Sequence, residues 1–112
     1  MSDLYFSPAA ERDLVSIWEV ARLRGSDLDA EYAVKSINKV LESVQVNPNL
    51  GSYFAPGGPG CRFIRAGGHL VLYLNLCEAQ WNIPRLHTSR APETGLSVLR
   101  ILDGRMDPSA YL

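Results

Sequence analysis

Two stretches of the chain repeat apolar residues at spacings of three and four, and others alternate with a period of two. Ala10, Leu14, Ile17, Trp18 and Ala21 form the first helical stripe. Ser7 can cap the free backbone N–H groups, and Pro8 suits the first helical position because its missing N–H had no partner there. This helix is predicted to run to Arg24 and stop at Gly25; Glu11, Arg12, Asp13 and Glu19 fall mostly off its stripe. Ser26, with Asp29 at the capping-box position, opens a second helix. Its stripe is Ala30, Ala33, Val34, Ile37, Val40, Leu41 and Val44, and Asn47-Pro48 ends it. A gap of about two residues makes the helices an antiparallel hairpin.

Asp3 to Ser7 is a strand candidate with Leu4 and Phe6 on one face and Tyr5 on the other. Leu50 to Gly60, rich in glycine and proline, reads as a loop that Tyr53 and Phe54 pin to the core. Cys61–Ala66, Gly67-Gly68 and His69–Leu76 make a hairpin pairing Ala66 with His69, Ile64 with Val71 and Arg62 with Tyr73. Cys61, Phe63, Leu70, Leu72, Leu74 and Leu76 then share the more apolar face. That face is the expected seat of the helices, with Leu72 meeting Ile37. The other face carries Arg62, Ile64, His69, Val71, Tyr73 and Asn75; half polar, it is where binding residues are expected. Leu96 to Leu102 forms a closing strand before a turn at Gly104 and a short tail. Residues 77–95, holding Trp81, Ile83, Leu86 and His87 and interrupted by Pro84 and Pro92, fit no regular element beyond an edge strand from Gln80 to Leu86. The fold class expected is α+β, a two-helix hairpin packed on a small antiparallel sheet.

At 112 residues the chain is one domain, and no apolar run approaches the roughly 20 residues that span a bilayer. The N-terminus lacks the order of a signal peptide, so a cytoplasmic protein is expected. The net charge of −1 and pI near 6.1 argue against sequence-specific or general DNA binding. Residues 1–59 hold five Lys and Arg against eight acids, whereas residues 60–112 hold six arginines against four acids. Arginine forks onto carboxylates, so this second half suits an acidic partner helix as well as a phosphate. Cys61 and Cys77 have no CxxC partner and no histidine at metal spacing, so neither metal nor cofactor is expected. The glycine-rich loop lacks the Gly-Lys-Ser/Thr ending of a phosphate cradle.

The order strand, helix hairpin, Gly-rich loop, strand hairpin and closing strand resembles the ParE-type toxins of the RelE/ParE superfamily. Ser7-Pro8-Ala9-Ala10 with Asp13-Leu14 and Ile17-Trp18 looks like the family opening, and Asn47-Pro48 with Gly51 resembles its helix exit. Gly60-Cys61-Arg62 stands where the family has Gly-x-Arg, and His69 to Tyr73 resembles its His/Tyr-x-Val-x-Tyr strand. Asp103-Gly104-Arg105-Met106-Asp107-Pro108 is similar to its closing turn and tail. The resemblance implies a type II toxin that poisons DNA gyrase by binding it and is neutralised by a ParD-like antitoxin with an acidic helical tail. Arg62, Arg65, Tyr73, Arg100, Arg105 and Met106 are the candidate contacts for antitoxin or target. Tyr73 is followed by Leu74-Asn75-Leu76 rather than arginine, Asp103 replaces a common histidine, and the link over 77–95 is long. Two further readings therefore stand beside the first. One is a RelE-like ribosome-dependent mRNA endoribonuclease using Arg62, Tyr73, Arg100 and Arg105. The other is a degenerate, non-toxic module that only binds antitoxin.

Overall fold

The computed structural model describes residues 4–76, 78 and 95–103. Their elements follow in the order β1 (Leu4–Phe6), α1 (Pro8–Arg24), α2 (Asp27–Val46), β2 (Ser52–Tyr53), a 3-10 turn (Ala55–Gly57), β3 (Cys61–Ala66), β4 (His69–Asn75) and β5 (Leu96–Asp103). Both helix starts form as their local chemistry dictates. Ser7 Oγ accepts the Ala10 N–H at 3.0 Å, and Ser26 Oγ accepts that of Asp29 at 3.3 Å. Ser7 also ties α1 to the sheet: its N–H donates to Val98 O at 2.9 Å and its hydroxyl to Leu99 O at 2.7 Å.

The five strands form one mixed sheet in the order β1-β5-β4-β3-β2, with β1 parallel to β5 and the other neighbours antiparallel. The β3–β4 register pairs Ala66 with His69, Ile64 with Val71 and Arg62 with Tyr73, as expected from a two-residue turn. Gly67 supplies the positive φ (62°) that the turn requires. β2, expected as loop, is a two-residue edge strand that pairs Tyr53 with Arg62. Phe54 beside it is buried, as expected, but Tyr53 is exposed rather than pinned in the core.

The helices lie on the sheet face opposite to the one expected. Ala10, Ile37 and Leu41 of the helices cluster with Ala66, Val71, Val98 and Ile101, while Val44 joins Tyr73 and Leu96. Leu72 belongs to a separate cluster with Phe54, Cys61 and Leu102, so it does not meet Ile37. The difference has a physical origin. Period-two alternation sorts residues onto two faces but does not say which face the helices take, and both faces here are buried. Ile64, Ala66, Val71, Val98 and Ile101 offer small or β-branched side chains on which helices can lie closely. The Leu- and Phe-rich face receives Phe54, whose ring meets Phe63 edge-on at 6.1 Å. Cys61 is a buried free thiol whose pKa burial pushes up. Cys77, the possible strand from Gln80 to Leu86, Arg105 and Met106 lie outside the described residues.

Candidate functional site

Arg62 and Tyr73 do come together, as adjacent cross-strand partners, but their polar groups turn inward. Chain leaving α2 must cross the end of the sheet, and its backbone needs partners there. Tyr73, fully buried, supplies two: its hydroxyl accepts the Gly51 N–H and donates to Pro48 O, both at 2.9 Å. Arg62 Nη1 donates to Gly51 O at 2.7 Å and to Asn49 O at 3.3 Å. The rest of its guanidinium is held by Glu78 Oε1, 3.0 Å from Nε and 2.9 Å from Nη2. The Tyr53 ring lies 4.0 Å from Arg62 Cζ, and its hydroxyl donates to Glu78 Oε2 at 2.8 Å. Asn75 Nδ2 completes the clamp with Asn49 Oδ1 and Glu78 Oε1. Burial raises the pKa of Tyr73 above that of an ordinary phenol, against the Gly51 hydrogen bond and the nearby Arg62 charge, with Glu78 adding to the rise. Such a phenol is neutral at physiological pH and has no exposed surface for a substrate.

Arg100 sits at the opposite margin of the sheet. β1 covers β5 only over Leu96–Val98, so the outer edge of β5 needs other partners beyond that point. A register shift opposite Leu72 and Tyr73 leaves Leu99 as an extra residue in β5. Asp13 of α1 meets the edge there. Its Oδ2 accepts the Ile101 N–H at 2.9 Å and Arg100 Nε at 2.8 Å, and its Oδ1 accepts Arg100 Nη2 at 3.0 Å. Asp13, read from its helical position as mostly off the packing stripe, thus anchors α1 to β5.

Beyond this tie, α1 and β5 frame an open groove of about 450 Å3. Asp13, Ser16, Ile17, Val20, Ala21 and Arg24 form one wall, and His69 with Arg100, Ile101, Leu102 and Asp103 forms the other. Val20 is 43% exposed, and Leu23, one turn beyond it, is 80% exposed. Val20 lines the groove, and Leu23 lies outside it. Helical periodicity located Ile17, but only the tertiary fold makes a groove of it. Arg65 is exposed on the other face of the sheet and has no ion pair among the described residues. The structure therefore brings Arg62 and Tyr73 together and sets Arg65 and Arg100 apart from them. Among the described residues there is no cluster of three or more His, Cys, Asp or Glu side chains placed to hold a metal, and no helix is long and apolar enough to cross a membrane.

The described residues thus form a two-helix hairpin on one face of a five-stranded mixed sheet, with a groove between the first helix and the last strand. The chromosomal ParDE toxin–antitoxin system from P. aeruginosa contains a chain of the same fold. It superposes with a TM-score of 0.64 at 19% identity, over 92% of this chain and 96% of that one. Toxin ParE1 of Mycobacterium tuberculosis, in strains CDC 1551 / Oshkosh and ATCC 25618 / H37Rv, is 28% identical over 108 residues, or 96% of this chain and 95% of the relative. The family model of the ParE toxin of the type II toxin–antitoxin system parDE matches residues 4–108. The chain belongs to that family: it is a ParE toxin of a type II toxin–antitoxin system.

Proposed function

We propose that this toxin arrests growth by binding DNA gyrase in the cytoplasm, and that a ParD-like antitoxin neutralises it by laying an acidic helical tail into the groove between α1 and β5. The groove carries this reading: half-exposed Val20 next to Ile17 suits the apolar face of an amphipathic helix. Burial of Arg62 and Tyr73 favours a binding poison over a ribonuclease, because their hydrogen-bonding groups are committed to the exit of α2 and to Glu78. Exposed Arg65, together with Arg105 and Met106 of the tail, is assigned to contact with gyrase. The purified protein should inhibit supercoiling of relaxed plasmid by gyrase and leave messenger RNA intact on translating ribosomes. Cleavage of messenger RNA without gyrase inhibition would reverse the assignment.

A further inference from the structure

The groove contains two arginines, and their situations differ. Arg100 is forked onto Asp13, whose carboxylate also holds the Ile101 N–H of β5. Its side chain is 26% exposed and that of Asp13 15%, so this pair is largely withdrawn from solvent. Arg24, in the last turn of α1, is exposed and has no ion pair among the described residues. The remaining charged or titratable groups of the groove, His69 and Asp103, stand directly opposite each other in the β4–β5 register.

We infer that Arg24, and not Arg100, is the groove residue that receives a carboxylate of the partner, because Asp13 withholds Arg100. This rests on the docking of an acidic segment proposed above. It gives that segment an order along the groove, with apolar anchors over Ile17 and Val20 and an acid at the C-terminal end of α1. That end also suits a cation intrinsically, so Arg24 is held where the helix dipole favours it. Asp13 is then more than a tie between α1 and β5. It hides one of two similar cations and so decides which one an acidic partner can read.

Three variants test this against the purified protein encoded by the adjacent reading frame, with association measured at low and high salt. Arg24→Gln, at an exposed helix end, should melt like the parent. It should slow association at low salt by about 3- to 10-fold and flatten the salt dependence, as expected for loss of a steering charge. Arg100→Gln should lower the melting temperature and, once salt has screened the bare Asp13 charge, leave association and dissociation as in the parent. Asp13→Asn keeps an oxygen for the Ile101 N–H but releases Arg100, and association at low salt should become faster than in the parent. Loss of the Asp13 charge alone would speed association in the same way but leave dissociation at high salt unchanged, whereas an exposed Arg100 should slow dissociation there as well; unchanged dissociation would mean that Asp13 does not withhold Arg100. Association of Arg24→Gln at the parental rate, or faster dissociation of Arg100→Gln than of the parent at high salt, overturns the inference while leaving the groove as docking site. Absence of any complex with the parent protein overturns both.

Discussion

Tyr73→Phe removes one oxygen from the centre of the clamp that holds the exit of α2. The ring stays, so no cavity larger than the hydroxyl opens. Two backbone groups lose their partner: the Gly51 N–H and the Pro48 carbonyl, each 2.9 Å from the phenol oxygen. The bond to Gly51 is buried and that to Pro48 partly so, hence the orphaned N–H should dominate. A buried group left without a partner costs about 1–3 kcal/mol, which sets the combined loss at about 2–3 kcal/mol. For a domain of this size that corresponds to a fall in melting temperature of about 8–12 °C. Urea denaturation followed by circular dichroism reads the loss as a shift in midpoint at constant slope. A change below about 0.5 kcal/mol would refute the reasoning, since it would mean that the two groups find other partners and that Tyr73 is not what secures the loop.

Gly51→Ala should be at least as damaging, because a Cβ there would stand 2.6 Å from the Tyr73 oxygen and 2.7 Å from the Phe63 carbonyl oxygen; a loss below about 1 kcal/mol on denaturation would show that the loop can yield. Ile37→Ala should cost about 2–5 kcal/mol, and double-mutant cycles should couple it to Val71→Ala but leave it additive with Leu72→Ala within about 0.5 kcal/mol; the reverse pattern would put the helices on the other sheet face. Stability should also fall in alkali. The native Tyr73 pKa lies above the ordinary phenol value of 10.0, so the unfolded chain releases this proton first. The contribution is complete below that value and is lost as pH rises through the native pKa, so the stability gap between the parent and Tyr73→Phe should narrow in alkaline urea titrations.

Much of the fold was readable from the chain because the signals are local. Ser7-Pro8, Ser26 with Asp29 and Asn47-Pro48 set the helix ends through neighbouring atoms, and Gly67-Gly68 set the hairpin register. The face taken by the helices was not readable, since Leu72 and Val71 are both buried and alternation treats them alike. Two-residue β2 is too short to leave a pattern. At the candidate site, Arg62, Tyr73 and Arg100 stand out by residue type, yet their partners are distant in the chain. Asp13 is 87 residues from Arg100 and Glu78 is 16 from Arg62, and nothing in the spacing announces either pair. The groove is a property of packing alone: Val20 and Arg24 are ordinary surface positions of a helix until β5 lies beside them.

We propose that this ParE toxin arrests growth and is held in check by a partner seated between α1 and β5. The most direct test is plating efficiency of cells that express the chain from a tightly repressed promoter, with and without the protein of the adjacent reading frame, alongside a Val20→Asp variant that places a charge on the apolar lip of the groove. The parent should stop colony formation, co-expression should restore it, and Val20→Asp should remain toxic but no longer be rescued. Full growth of cells expressing the parent alone, or undiminished rescue of Val20→Asp, would contradict this proposal.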